Sequence, residues 1–294
     1  MIAAILLALA CAATFAVSTS VQHHAAEHAP ATATGLFGLL AYLVRRPLWL
    51  LGQLLATLGF VFHALALHAG ALAVVQPIVV SGIIWAVPLR SALSRRWPSP
   101  AEVRAVTLVA LGLAAFLVGS NPTEGDTASR GLGSLLLAAI GVALALGANT
   151  LAGMTHSVPR RRAFWLGVTA GVLFGMVAAL LKMALQAFND GGLGGLALAW
   201  PAYALLLAGT GGVLTNQRAY RTAGLSASMP VLNIVNVLVA LTFGLLVFGE
   251  VPRHSPPLLL LEAVSLAAIG VGLVLLVRLE ETFLQVEPEV QLRR

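Results

Sequence analysis

Apolar residues occur along this chain in long runs, separated by short connections that carry most of the charged residues. The runs are about 16 to 22 residues long, enough for a helix to cross a hydrocarbon core of about 30 Å. They predict nine membrane helices: Met1–Val21, Pro47–Leu67, Ala71–Ala92, Val103–Val118, Gly131–Leu151, Phe164–Leu185, Ala199–Thr215, Ala227–Phe248 and Pro257–Val277. A tenth helix depends on Pro30–Val44, a mostly uncharged stretch that either crosses the membrane or lies at its surface.

The first run, Met1–Val21, has no basic segment before its apolar part, and more membrane-length runs follow it. We therefore interpret it as an uncleaved first helix, with a cleaved signal peptide as the alternative.

Composition excludes a water-soluble globular protein, because 59% of the 294 residues are hydrophobic and 10% are charged. The net charge is +6, but the basic residues form short clusters between the runs. Membrane topology explains that placement better than nucleic-acid binding does. The single Cys11 lies in an apolar run, so neither a disulfide framework nor a thiolate metal site is expected.

Arginines on alternate connections predict the orientation of the chain. The positive-inside rule makes those connections cytoplasmic, places the C-terminus in the cytoplasm, and fits a multi-pass protein of the cell (inner) membrane. Arg130 and Arg253 lie on the opposite side. The side of the N-terminus depends on whether Pro30–Val44 crosses. The cytoplasmic arginines are Arg45, Arg46, Arg90, Arg95, Arg96, Arg104, Arg160, Arg161, Arg162, Arg218, Arg221, Arg278, Arg293 and Arg294.

Two apolar segments repeat each other at a constant offset of 153 residues. GALAVVQPIVVSGIIWAVPLR (Gly70–Arg90) aligns with AGLSASMPVLNIVNVLVALTF (Ala223–Phe243), which places Pro77 on Pro230, and upstream His63 falls on Asn216. The arginines give the two proline-bearing helices opposite directions, so the repeats are inverted. Many secondary transporters have this architecture, with the substrate near the membrane midplane.

We therefore expect an all-α fold: a polytopic membrane helix bundle of nine or ten transmembrane helices with two inverted repeats. No domain-separating linker interrupts the runs. The expected organisation is a first repeat over residues 1–120, a fifth helix and its connection over 121–160, a second repeat over 161–280, and a cytoplasmic tail over 281–294.

The second proline-bearing segment predicts a cavity-lining face. Pro230 has no N–H and frees the carbonyl of Ser226, which then needs another partner within the membrane. The residues that fall on or near one stripe of this helix are Ser226, Met229, Asn233 and Asn236. The asparagines are candidates for binding a polar solute or a cation, and interhelical hydrogen bonding is the alternative.

Three further polar residues are candidates for the same site. Gln76 beside Pro77 is the pseudo-symmetric counterpart in the first repeat. Lys182, the only lysine, is interpreted first as a side chain that extends to the outer interface, and alternatively as a cation in the cavity. Asn149 is a weaker candidate for lining the pathway.

The histidines give little support for a metal site. His63 and His68 are five residues apart, so they point in different directions from a helix. The cluster of His23, His24, Glu27 and His28 could hold a zinc-like ion if it were helical, but we interpret it as a solvated connection.

Glycines at positions 167, 171 and 175 form a small-residue stripe, which we expect to pack against another helix of the same chain. Asp126 and Asp190 are the only aspartates, and both lie between runs. A carboxylate-pair or triad mechanism inside the membrane therefore lacks residues, and neither an enzyme nor a cofactor is expected.

Three stretches resemble the drug/metabolite transporter superfamily (EamA-like), and within it the NIPA-type magnesium transporters. They are HALALHAGALAVVQPIVVSGIIWAVPL, NQRAYRTAGLSASMPVLNIVNVLVALTFGLLVFGE and GVTAGVLFGMVAALLKMAL. The resemblance implies a bundle that moves a small solute or ion by alternating access. The Gly-Glu helix end that is widespread in the superfamily is present once, at Gly249-Glu250, whereas the first repeat reaches Arg90 and Ser94 without a glutamate.

The sequence thus favours a secondary transporter of the drug/metabolite type, acting as a monomer or homodimer in the lipid bilayer. A NIPA-like magnesium carrier is the first alternative, although carboxylates suited to magnesium are scarce within the runs, where Glu262 stands near a membrane end. A non-transporting membrane scaffold is the second alternative.

Overall fold

A computed structural model describes residues 1–27, 42, 44–82, 84–85, 97–119, 131–223, 225–250 and 256–291, with the side chains of 23–27, 220–221, 225–227, 277 and 280–291 left out. Every regular element in these ranges is an α-helix. The helices are α1 (Ile2–Glu27), α2 (Pro47–Ala69), α3 (Leu72–Val80), α4 (Pro100–Gly119), α5 (Gly131–Met154), α6 (Pro159–Leu198), α7 (Trp200–Ala223), α8 (Leu225–Leu246) and α9 (Pro256–Gln291).

Seven of these helices are long and apolar enough to cross a membrane: α1, α2, α4, α5, α6, α8 and α9. The all-helical membrane bundle expected from the sequence is confirmed at that level. Within the predicted run Ala71–Ala92, the nine residues Leu72–Val80 form α3. The run Ala199–Thr215 lies in α7, whose second half carries Asn216, Gln217 and Arg218 and is more polar than the seven. Most of Pro30–Val44 lies outside the described residues.

Local sequence signals explain where several helices begin. Pro47 and Pro159 occupy the first turns of α2 and α6, where the missing N–H costs no helical hydrogen bond. Ser99 and Glu102 form a capping box before α4: the Ser99 amide donates to Glu102 Oε2 at 2.7 Å, and the Glu102 amide donates to Ser99 Oγ at 3.2 Å.

Helix α6 is the centre of the bundle. In its most apolar stretch 67% of the residues are buried, against 22 to 39% in the other six apolar helices. It packs most extensively against α7 and α8, and also against α5. The helix extends well past the predicted end at Leu185, and Gly192, with φ 60° and ψ −147°, interrupts its regular geometry.

The glycine stripe is the reason α6 and α8 approach so closely. A Cβ on Gly167 would lie 2.7 Å from the Ser228 carbonyl oxygen, and one on Gly171 would lie 2.6 Å from the Leu232 carbonyl oxygen. A Cβ on Gly175 would likewise lie 2.8 Å from the Asn236 carbonyl oxygen. The prediction that this stripe packs within the chain is confirmed.

Two pairs of helices begin at the spacing of the sequence repeat. The first residues of α2 and α7, Pro47 and Trp200, are 153 positions apart, and so are the first residues of α3 and α8, Leu72 and Leu225. In each half the longer partner helix also packs along its neighbour, α1 against α2 and α6 against α7. The two proline-bearing helices, α3 and α8, contact each other.

Candidate functional site

The end of α8 folds back into the bundle at Gly249. This glycine has φ 64°, a left-handed conformation that costs a residue with a Cβ about 1 kcal/mol or more. The reversal lets the Glu250 amide donate to the Gly244 carbonyl at 2.9 Å. As a result the Glu250 side chain points inward and is buried.

The Glu250 carboxylate caps the start of α3. Its Oε1 accepts from the Leu72 amide at 2.9 Å, and its Oε2 accepts from the Ala73 amide at 3.0 Å. The first amides of a helix have no partner within the helix, and the positive end of the helix dipole favours an anion there. One buried carboxylate therefore ties the end of α8 to the beginning of α3.

Lys182 on α6 completes this network. Its Nζ lies 2.6 Å from Glu250 Oε1, donates to the Gly70 carbonyl at 3.4 Å, and stands 4.8 Å from the centre of the Phe248 ring. The ring face adds a cation–π contact. The interpretation that Lys182 extends to the membrane interface is wrong, because the side chain is only 14% exposed and turns inward to its counter-ion. We call Lys182, Glu250, Phe248 and the first amides of α3 the ion-pair network.

A second polar contact joins the two proline-bearing helices. Gln76 on α3 donates from Nε2 to Asn236 Oδ1 on α8 at 2.8 Å, and both side chains are buried. Gln76 Oε1 has no hydrogen-bond partner. Pro77 and Pro230, which interrupt the backbone ladders of the same two helices, are buried as well. The structure thus brings together the sequence candidates Gln76, Pro77 and Asn236.

His63 on α2 is a part of this polar centre that the sequence argument did not identify. It is 6% exposed, interacts with Gln76, and leaves its Nε2 without a hydrogen-bond partner. The available signal was the repeat alignment of His63 with Asn216, whose Oδ1 is also buried and unpartnered. His68 points elsewhere, with its Nδ1 3.3 Å from Asn189 Nδ2 on α6.

The two asparagines of α8 face different surroundings. Asn236 meets Gln76, whereas Asn233 is half-buried and lines an apolar groove of about 500 Å³ between α3, α8 and α9. Pro77 lines the same groove. Met229 is half-buried on the same helix, and the Ser226 side chain lies outside the described residues.

Asn149 is not brought to the polar centre. Along the contact between α5 and α6, Gly141 lies against Met176, and the Ala145 carbonyl accepts from Thr169 Oγ1 at 3.4 Å. Asn149 lies one turn further along α5, near the start of α6 and roughly 15 Å along α6 from Gly175. Gly175 is the residue of α6 that contacts the Asn236 backbone.

No metal centre is present among the described residues: none of them form a group of three or more His, Cys, Asp or Glu suited to hold an ion. His23, His24 and Glu27 belong to the last turns of α1, so the interpretation of this segment as a connection after the first helix is wrong. Their side chains and the whole of His28, which the zinc-like cluster requires, lie outside the described part.

Seven apolar helices around a buried polar centre define a multi-pass integral membrane protein. The chain is 31% identical over 250 residues to an uncharacterized protein of Corynebacterium glutamicum, with 84% of this chain and 85% of the relative covered, and it belongs to that protein's family. No protein-family model matches the sequence. No solved structure matches it either.

Proposed function

We propose that the chain is a secondary transporter of the drug/metabolite type, which moves a small solute across the cell membrane by alternating access. In this proposal it has nine or ten membrane helices in two inverted repeats, and its C-terminus is cytoplasmic. The observation that carries the proposal is the buried hydrogen bond between Gln76 and Asn236, which joins the two proline-bearing helices at their contact.

Buried amide side chains are costly in a membrane bundle unless their polar atoms are paired. Gln76 and Asn236 pair with each other, yet Gln76 Oε1 keeps a free acceptor position. Helices interrupted by proline often surround a binding site near the membrane midplane in transporters. A solute that hydrogen-bonds to these amides would therefore be held between the two halves of the molecule.

The ion-pair network supplies a closure at one end of this site. For α3 and α8 to separate there, Glu250 must leave the amides of Leu72 and Ala73, and Lys182 must leave Glu250. All of these groups belong to helix ends that the arginine pattern assigns to the outer side. We infer that this arrangement is closed to the outside and that opening the network is a step of transport.

Magnesium is not favoured as the solute by the geometry. Both oxygens of the buried Glu250 carboxylate accept from backbone amides, and one also meets Lys182. A magnesium site needs such oxygens for the ion or for its bound waters.

The test is a binding screen followed by a flux measurement on the full chain. Thermal unfolding of the purified protein is followed with amino acids, nucleosides, organic acids, amphipathic cations and magnesium chloride, because a ligand of the folded state raises the melting temperature. We expect an organic solute to stabilise the protein and to cross the membrane of vesicles that contain it. Stabilisation by magnesium alone would replace this proposal with the cation carrier, and absence of flux for every stabilising solute would refute transport.

A further inference from the structure

His63 lies inside the membrane-crossing part of α2, six residues before the helix ends at Ala69. This is about 9 Å below the turn at which the ion-pair network closes the bundle. Contacts between α1 and α2 show which residue of α1 lies at the same depth as His63. Gly59 lies beside Phe15, and Gly70 lies beside Ala4. Interpolation between these two contacts places Cys11 level with His63. The imidazole is 6% exposed in this arrangement.

The His63 ring lies beside Gln76, whose Oε1 accepts no hydrogen bond. His63 Nε2 and Gln76 Oε1 are both buried without a partner, while Gln76 Nε2 is committed to Asn236. When the neutral ring carries its single proton at Nδ1, Nε2 is an acceptor, and a second proton bound at Nε2 turns it into a donor and charges the ring. Imidazole is the side chain whose charge changes most readily between about pH 5 and 8.

A charged imidazole at this place needs a compensating negative charge. The elements packed against α2 are α1, α3, α6 and, through Gln76, α8. Glu250 at the end of α8 is committed to Lys182 and to α3, so it does not compensate His63. The titratable and charged side chains described on these elements are Cys11 on α1, Arg160, Arg161, Arg162, Lys182 and Asp190 on α6, and His68 on α2 itself; those of His23, His24 and Glu27 on α1 are not described.

Lys182 is the cation on α6 at the same end of the bundle, and it is already paired with Glu250. The three arginines lie at the opposite end of α6, and Asp190 is exposed beyond the closure. Among the described side chains of these elements none compensates a proton on His63, so protonation adds a positive charge that is costly in a membrane interior when the bundle closes. An anionic solute beside the ring removes that cost.

We propose that His63 takes up a proton when its end of the bundle opens, and that the solute is a small monocarboxylate which crosses together with that proton. This inference rests on the proposed transport function and names its substrate class. The proton adds to the Nε2 lone pair from water, the carboxylate accepts the new N–H, and the side-chain N–H groups of Gln76 and Asn236 donate to the carboxylate oxygens. At the opposite face the anion and the proton return to water, so charge and atoms balance.

The experiment measures binding of carboxylates against their neutral amides: lactate against lactamide, and benzoate against benzamide. Thermal unfolding and calorimetry are carried out on the full chain at about pH 5.5 and about pH 7.5, within the range in which histidine titrates. Calorimetry in two buffers of different ionisation enthalpy counts the protons taken up. We expect carboxylates to bind with uptake of about one proton, so that their affinity falls by up to about tenfold per pH unit.

His63→Gln should abolish both the carboxylate binding and the proton uptake, while the matched control His68→Gln should bind like the wild type. If His63→Gln does not fold, His63→Asn introduces the residue type found at the equivalent position 216. The proposal would be overturned if the neutral amides bound as tightly as the carboxylates, if the carboxylates bound without proton uptake, or if the folded His63 variant bound them like the wild type.

The two proposals fail in different ways. Flux of another solute without any carboxylate binding would support the transport function and refute the proposal that the solute is a carboxylate coupled to a proton. Carboxylate binding with proton uptake but without flux would leave the site standing and reject transport.

Discussion

Lys182 Nζ and Glu250 Oε1 lie 2.6 Å apart, although 68 residues separate them in the chain. The ammonium comes from the central helix α6, and the carboxylate comes from the turn that ends α8. The same carboxylate accepts from the first amides of α3. This one ion pair therefore holds together three elements that the proposed alternating-access cycle has to separate.

Removing one charge of this pair should be strongly destabilising. Glu250→Gln leaves Lys182 without its counter-ion at a largely buried position, and breaking a buried ion pair costs about 3–5 kcal/mol, less where water reaches the remaining charge. We expect a clearly lower melting temperature in thermal unfolding of the detergent-solubilised protein.

Two variants serve as controls for that experiment. Asp190→Asn removes an exposed carboxylate and should change stability by about 0.5 kcal/mol or less. The double variant Lys182→Met, Glu250→Gln removes both charges and should recover part of the loss. A Glu250→Gln protein as stable as the wild type would show that the pair does not hold the closed arrangement.

The glycine stripe of α6 gives a second prediction. Gly171→Ala places a methyl group 2.6 Å from the Leu232 backbone oxygen, so α6 and α8 must move apart, at a cost of about 1–3 kcal/mol. Gly147→Ala on α5 is the matched control, because nothing lies within 4 Å of its added Cβ and the helix gains up to about 1 kcal/mol from alanine. Thermal unfolding should show opposite shifts for the two variants, and equal shifts would contradict the described packing.

Hydrophobic run length and small-residue spacing were sufficient to predict most of the helices and the contact made by the glycine stripe. Both signals are local, and the membrane leaves few other ways to satisfy the backbone. Side-chain partners were harder to predict from the sequence, because they depend on the relative rotation of helices that are distant in the chain. Lys182 shows this: its position near a helix end favours the interface, but the Gly249 turn brings a carboxylate within its reach.

The polar centre shows the same limit. Asn233 and Asn236 are near one stripe of α8, yet the neighbouring helices divide them between an apolar groove and Gln76. A glutamate and a lone lysine at helix ends on the same predicted side were a usable signal for the ion pair. His63 enters the sequence argument as an unsuitable metal ligand and as the repeat counterpart of Asn216, and neither observation predicts its place beside Gln76.

The orientation of the bundle gives a third prediction. In a Cys11→Ala background, the Arg161→Cys variant should react with a membrane-impermeant maleimide only from the cytoplasmic side, because arginine-rich connections stay inside. The Asp190→Cys variant should react only from the outer side. Both positions are exposed, so labelling of intact cells and of inverted vesicles distinguishes them. Labelling of both from one face would refute the topology.

The most direct test of the proposed transport site compares the two asparagines of α8. Uptake into vesicles is measured, per amount of folded protein, for the organic solute that most stabilises the wild type. Asn236→Ala removes the partner of Gln76 and should lower uptake at least about tenfold, the effect of losing one buried hydrogen bond. Asn233→Ala changes only the apolar groove and should stay within about twofold. Uptake by the Asn236 variant equal to that of the wild type would contradict a transport site between α3 and α8.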